Sequence, residues 1–255
     1  MSNYVDGMIK KYKHPIGIDA TTKAFIFDPI EAEIRKWANH NSLSIVEVIL
    51  SGSRAKGTAI KLSSDMDIFI SLSSSNTSSL ETIFNSLFDY FNVPGLSCRK
   101  QNVSVGVTYN GHNIDLVPGR RQNQYGNDHS LYKSRQNTWT QTNINEHIRI
   151  VKNSNRIEEI VATKIWKHRH NLEFPSIFLE LTALEGLKHR GTLDHDSNFL
   201  FLLEYIRDNI QALKIIDPAN TNNIISNDLT LSEKRAISDQ AKISRNKQNW
   251  TDIIW

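Results

Sequence analysis

Two spacings of apolar residues alternate along the first part of the chain, and after Asn143 only the helical one persists. Ile30, Ile34, Trp37 and Ala38 recur at helical spacing behind Asp28-Pro29, which predicts a helix capped by Asp28 with Pro29 in its first position. Residues 44–50 (SIVEVIL) alternate β-branched and apolar side chains and predict a buried strand. Gly52 ends that strand, and a short helix is expected over 54–60. Met66, Ile68, Phe69 and Ile70 then mark a second strand. Beyond the polar connector SSSNTSS, Leu80, Ile83, Phe84, Leu87 and Phe88 predict a helix over 79–91, broken by Pro94-Gly95. Val103, Val105 and Val107 alternate in a strand expected over 97–109. Asn110-Gly111 then reads as a hairpin turn that returns the chain through Ile114-Asp115-Leu116-Val117.

From Asn143 onward, Ile144, Ile148 and Ile150, then Ile157, Ile160, Val161, Ile165 and Trp166, predict a long helix or a pair broken through Asn153-Ser154-Asn155. Pro175 can open the next helix and places Ser176 in its first turn. A Phe- and Leu-rich helix is expected over 197–213, then a turn cluster from Asp217-Pro218, then a helix and tail in which Trp250 and Trp255 are packing anchors. These shifts divide the chain into residues 1–140, of which 1–27 form an N-terminal arm, and a helical part over 141–255.

Composition narrows the function classes only slightly. With 39% hydrophobic and 22% charged residues the 255-residue chain has the make-up of a globular protein, and a net charge of +3 permits a nucleic-acid footprint without requiring one. The single cysteine, Cys98, excludes an internal disulfide and a Cys-based zinc site, in keeping with a cytoplasmic location. The N-terminus has no signal-like apolar core, and the longest apolar run, Phe199 to Leu203, is too short to span a bilayer, so no direct membrane insertion is expected.

The chemistry concentrates in SGSRAKGTAIKLSSDMDIFISL, residues 51–72. Spacing i, i+2 on a strand puts the carboxylates of Asp65 and Asp67 on one face. Gly52 and Ser53 form a corner where backbone amides and a hydroxyl can approach a polyphosphate. Magnesium is commonly held by one or two carboxylates together with substrate phosphates, so the corner and the aspartates complete each other. Asp115 sits in an apolar run where a lone carboxylate is costly without a metal or cation. Arg120 and Arg121, just past that run, are either contacts for phosphate or nucleic acid or part of a solvated loop. Ser176, facing a lysine on the preceding helix, can hold a triphosphate tail. His168, His170, His189 and His195 are not read as metal ligands, since His168 and His170 flank Arg169 and no glutamate stands at zincin spacing.

A Gly-Ser turn followed about a dozen residues later by Asp-x-Asp resembles the signature of polymerase-β-like nucleotidyltransferases. The resemblance implies a third acidic residue on a neighbouring strand, and Asp115 matches it. Lys164-Ile165-Trp166-Lys167 with Pro175-Ser176, and Asp217-Pro218-Ala219-Asn220 with Thr221 where proline is usual, are similar to the second lobe of oligoadenylate synthetases, CD-NTases and archaeal CCA-adding enzymes. In that group a spine lysine and a serine contact the donor triphosphate, implying Lys164, preferred to Lys167 by pattern, and Ser176. The implied fold is α+β with two lobes: a mixed β-sheet lobe with flanking helices, an all-helical second lobe, and the active site in the cleft between them.

The implied reaction is in-line attack of a hydroxyl on the α-phosphate of a nucleoside triphosphate, ATP first, with two Mg²⁺ ions about 3.5–4 Å apart and Mn²⁺ as a substitute. Asp65 and Asp67 would bridge both ions, and Asp115 would hold the one beside the acceptor. The implied product is a short linear or cyclic oligonucleotide signal for a downstream effector protein, in antiphage defence. The alternatives are a terminal transferase acting on tRNA or another RNA acceptor, and an inactive nucleotide-binding scaffold.

Overall fold

The computed structural model describes residues 4–63 and 65–255; the first three residues of the N-terminal arm and Ser64 lie outside it. The chain opens with α1 (Tyr4–Tyr12) and forms two compact units, one of residues 15–56 and 65–148 and one of residues 4–14, 57–63 and 149–255. The arm is thus shared between the units. Among the described residues no helix is long and apolar enough to cross a membrane.

In the first unit, α2 (Ala20–Thr22) runs through a π-helical turn (Lys23–Phe27) into α3 (Asp28–His40), so Asp28 lies inside a continuing helix instead of capping a new one. β1 (Ile45–Leu50) leads to the short α4 (Gly52–Lys56), which ends earlier than expected, before Gly57. β2 (Met66–Leu72) follows, then α5 (Leu80–Phe91), capped by Ser79 accepting from the Thr82 N–H. The segment expected as one strand over 97–109 is two: β3 (Ser97–Lys100) and β4 (Val105–Tyr109) pair antiparallel around a turn closed by Gln101 N–H on Ser104 O at 2.9 Å. β5 (His112–Arg121) returns through the Asn110-Gly111 turn, and its pairing shows Arg120 and Arg121 to be strand residues. β6 (His129–Lys133) and β7 (Thr138–Thr142), which apolar spacing did not reveal, extend the sheet from the end of β5.

The sheet order is β1-β2-β5-β4-β3, with β2 and β5 parallel and the other pairs antiparallel. Period-two alternation assigns its faces. Met66, Ile68, Ile70, Val105, Val107, Ile114 and Leu116 join Trp37, Phe84 and Leu87 from α3 and α5 in one core. Burying each such aliphatic side chain contributes roughly 1.5–3 kcal/mol, so register is strongly held. The other face receives Asp67, Asp115 and Gly106.

The second unit is helical: α6 (Ile144–Lys152, reached at the end of the first unit), α7 (Ile157–Arg169), α8 (Ser176–Leu187), α9 (His195–Asn209), the hairpin β8 (Ile216–Asp217) and β9 (Asn220–Ile224), and α10 (Leu231–Arg245). α10 begins with a full capping box, Thr230 with Glu233. Trp250 stacks on Tyr4 at 5.6 Å, and Trp255 meets His170 edge-on at 5.2 Å.

Candidate active site

The sheet register builds the acidic site. Asp67 on β2 and Asp115 on β5 are direct partners in the parallel ladder, so both carboxylates rise from the same face. Asp65 stands two residues before Asp67, just ahead of the strand, and is exposed, while Asp67 and Asp115 are half-buried. Burial pushes the Asp115 carboxyl above its usual range, and the charge of Asp65 pushes it further; Arg99 and a hydrogen bond from Gln101 oppose both.

Gly52 has a reason beyond phosphate approach. Its φ is +58°, and a Cβ there would lie 1.8 Å from Asp67 Oδ2 and 2.8 Å from Asp67 Cβ. The missing side chain is therefore the space the Asp67 carboxylate occupies. Ser51 N–H donates to Asp67 O at 2.8 Å and ties the corner to β2. Ser53 follows in α4, half-buried.

Three hard oxygen donors with an excess of negative charge fit Mg²⁺. Among the described residues, no group of three or more His, Cys, Asp or Glu side chains stands at metal-holding spacing. Asp115 instead accepts from Gln101 Nε2 at 2.6 Å. Gln101 and Arg99 carry no motif in the sequence, and only the β3–β4 hairpin brings them to this face.

The two arginines are bonded elsewhere. Arg120 donates to the carbonyls of Asn76 and Ser78, and Arg121 to Ser71 Oγ and Glu47. Both are thus tied into the sheet and do not lie in a solvated loop. Along the Asp67 face, His129 Nδ1 donates to Asn127 O at 2.8 Å, leaving Nε2 to accept from Ser71 Oγ at 2.8 Å. Ser71 is fully buried and so is no nucleophile. Burial pushes the His129 imidazole below its ordinary value. Cys98 is half-buried, and burial raises its thiol.

In the helical unit, Ser176 is exposed at the start of α8. Lys164 is buried, with Nζ 2.7 Å from Glu180 Oε1 and 2.8 Å from Thr58 Oγ1. Lys167, one turn on, is half-buried, and burial and then the Lys164 charge lower its ammonium. Asp217 closes its own hairpin, accepting from Ala219 N–H at 2.8 Å and from Asn223 Nδ2 at 3.2 Å.

The sequence profile of the nucleotidyltransferase domain matches residues 32–174. Comparison with curated proteins by sequence found no significant match. Among solved structures, CdnC of Escherichia coli MS115-1 with ATP superposes with a TM-score of 0.72 at 20% identity, covering 95% of this chain and 89% of that one. The CD-NTase CdnG of Bradyrhizobium diazoefficiens in complex with GTP gives 0.69 at 12% identity, over 94% and 92%. The Cid1 poly(U) polymerase bound to MgATP gives 0.66 at 12% identity, over 97% and 94%.

Proposed function

Because this chain belongs to the nucleotidyltransferase domain family, we propose that Asp65, Asp67 and Asp115 carry metal-dependent transfer of a nucleotidyl group from a nucleoside triphosphate to a hydroxyl. The observation that carries this is the register Asp67 to Asp115, with Asp67 seated in the space left by Gly52. The acceptor oxygen bonds to the α-phosphorus as the α–β P–O bond breaks, and pyrophosphate leaves with the electron pair. Asp115 stands on the acceptor side, where it would hold the cation that favours loss of the hydroxyl proton to solvent. Asp65 and Asp67 hold the cation side of the triphosphate, and the Gly52-Ser53 corner orients it. Bound Mg²⁺ supplies charge neutralisation at the phosphates and favours ionisation of the acceptor. Of the α7 lysines, Lys164 is committed to Glu180 and Thr58, so we assign it to the packing of α7 in the helical unit.

Likeness to CdnC and CdnG supports a template-independent enzyme that joins nucleoside triphosphates into a short linear or cyclic oligonucleotide signal in antiphage defence. Likeness to the Cid1 polymerase supports a second reading, terminal addition to RNA. Labelled ribonucleotide or deoxyribonucleotide triphosphates with Mg²⁺ or Mn²⁺, with and without tRNA, separate them. Product formed without added acceptor is expected; label confined to tRNA would favour the second reading, and silence in every mixture would leave a nucleotide-binding scaffold.

A further inference from the structure

Gly106 stands opposite Asp115 in the β4–β5 register, and Arg99 stands opposite Gly106 in β3–β4. A Cβ on Gly106 would lie 2.9 Å from Gln101 Nε2, 3.0 Å from Arg99 Nε and 3.1 Å from Arg99 Cγ. Both side chains therefore cross β4 over the one position that lacks a side chain. Gln101 completes the crossing and donates to Asp115 Oδ1 at 2.6 Å. Its own backbone is pinned in the β3–β4 turn, the N–H on Ser104 O at 2.9 Å and the carbonyl accepting from Ser134 Oγ at 2.6 Å. Among the described residues no hydrogen bond reaches Asp115 Oδ2.

We propose that Gln101 is a positioning residue for Asp115, admitted by Gly106: it fixes Oδ1 and so presents Oδ2 to the cation and the acceptor. The inference rests on the nucleotidyl-transfer reading above. An amide suits this role because it is neutral. It orients the carboxylate without cancelling the charge that binds a cation, as a lysine in its place would.

The test uses the full chain as wild type, Gln101→Leu, Gly106→Ala and the double variant. Mn²⁺ affinity is read by electron paramagnetic resonance, kcat and KM by pyrophosphate release, and folding by thermal melting. Gln101→Leu is expected to lower both Mn²⁺ affinity and kcat about tenfold with KM for the nucleotide unchanged. Gly106→Ala should reproduce the effect, and the double variant should be no worse than the worse single, since both remove one bond. Wild-type Mn²⁺ affinity and kcat in Gln101→Leu, or a lowered melting temperature with Mn²⁺ affinity unchanged, would overturn the proposal. If the wild type binds Mn²⁺ but transfers no nucleotide, weaker binding in Gln101→Leu still supports it while the function fails. If the wild type shows no Mn²⁺ binding that Asp67→Asn removes, both fall.

Discussion

Replacing Gly52 by alanine tests the corner with a single methyl group. The new Cβ would stand 1.8 Å from Asp67 Oδ2, 2.4 Å from Cγ and 2.8 Å from Cβ, where ordinary contact begins near 3.4 Å. The carboxylate must retreat by at least about 1.5 Å, and the closeness of Asp67 Cβ means that rotating the side chain alone does not relieve the clash. Alanine at φ +58° adds about 1–2 kcal/mol of backbone cost, and overpacking about 1–3. A total of roughly 2–5 kcal/mol corresponds to a fall in melting temperature on the order of 10 °C. Displacing a catalytic carboxylate by an ångström or more should also lower kcat about 100-fold. The control is Gly7→Ala in α1, where φ is ordinary and nothing beyond the chain neighbours and the helix's own backbone would lie within 4 Å of the added Cβ. That change should stabilise by about 0.5–1 kcal/mol. Differential scanning fluorimetry with pyrophosphate release reads both variants. A Gly52→Ala protein that melts and turns over like the wild type would refute the clearance reasoning.

Further outcomes follow from the buried polar groups. Lys164→Met breaks an ion pair whose side chains are 7% and 1% exposed, and should cost about 3–5 kcal/mol in urea unfolding. Lost nucleotide affinity at unchanged stability would instead return Lys164 to the substrate. The buried neutral His129 has its folded pKa below the ordinary 6.5, so its contribution is complete above that value and is lost as pH falls through the depressed folded pKa. Melting temperature should fall on acidification below pH 6.5, and His129→Gln should flatten that slope; an equal slope in both proteins would contradict this. Asp115 has the opposite sign. Its folded pKa is raised, so its contribution to the metal-free protein is complete below the ordinary 3.8 and declines as pH rises through the folded value, a decline that Asp115→Asn should abolish in metal-free melts.

Much of the sheet was legible because its strands alternate cleanly. Met66, Ile68 and Ile70 fall on one face and Asp67 on the other, and the same alternation around Asp115 marks β5. The β3–β4 turn was not legible: Gln101 to Ser104 contains neither glycine nor proline, and Val103 continues the valine alternation through it. β6 and β7 escaped for a similar reason, since Thr, Gln, His and Ser fill them and Leu131 is their one buried aliphatic. Long-range matching was out of reach altogether. Nothing near Lys164 announces that Glu180 and Thr58 meet it, and nothing near Gly52 announces that Asp67 fills its missing side chain. Arg120 and Arg121 read as phosphate contacts or a solvated loop because charged pairs beside Pro-Gly look like loop residues, whereas backbone carbonyls and Glu47 tie them into the sheet.

The most direct measurement is pyrophosphate release by Asp65→Asn, Asp67→Asn and Asp115→Asn, each with ATP binding followed in parallel. Three carboxylates acting as one unit predict a loss of about 10²–10⁴-fold in turnover for each single variant, nucleotide affinity largely kept, and little further loss in the pairs. Wild-type turnover in Asp115→Asn, while the other two variants are silent, would contradict the claim that β5 supplies the third carboxylate.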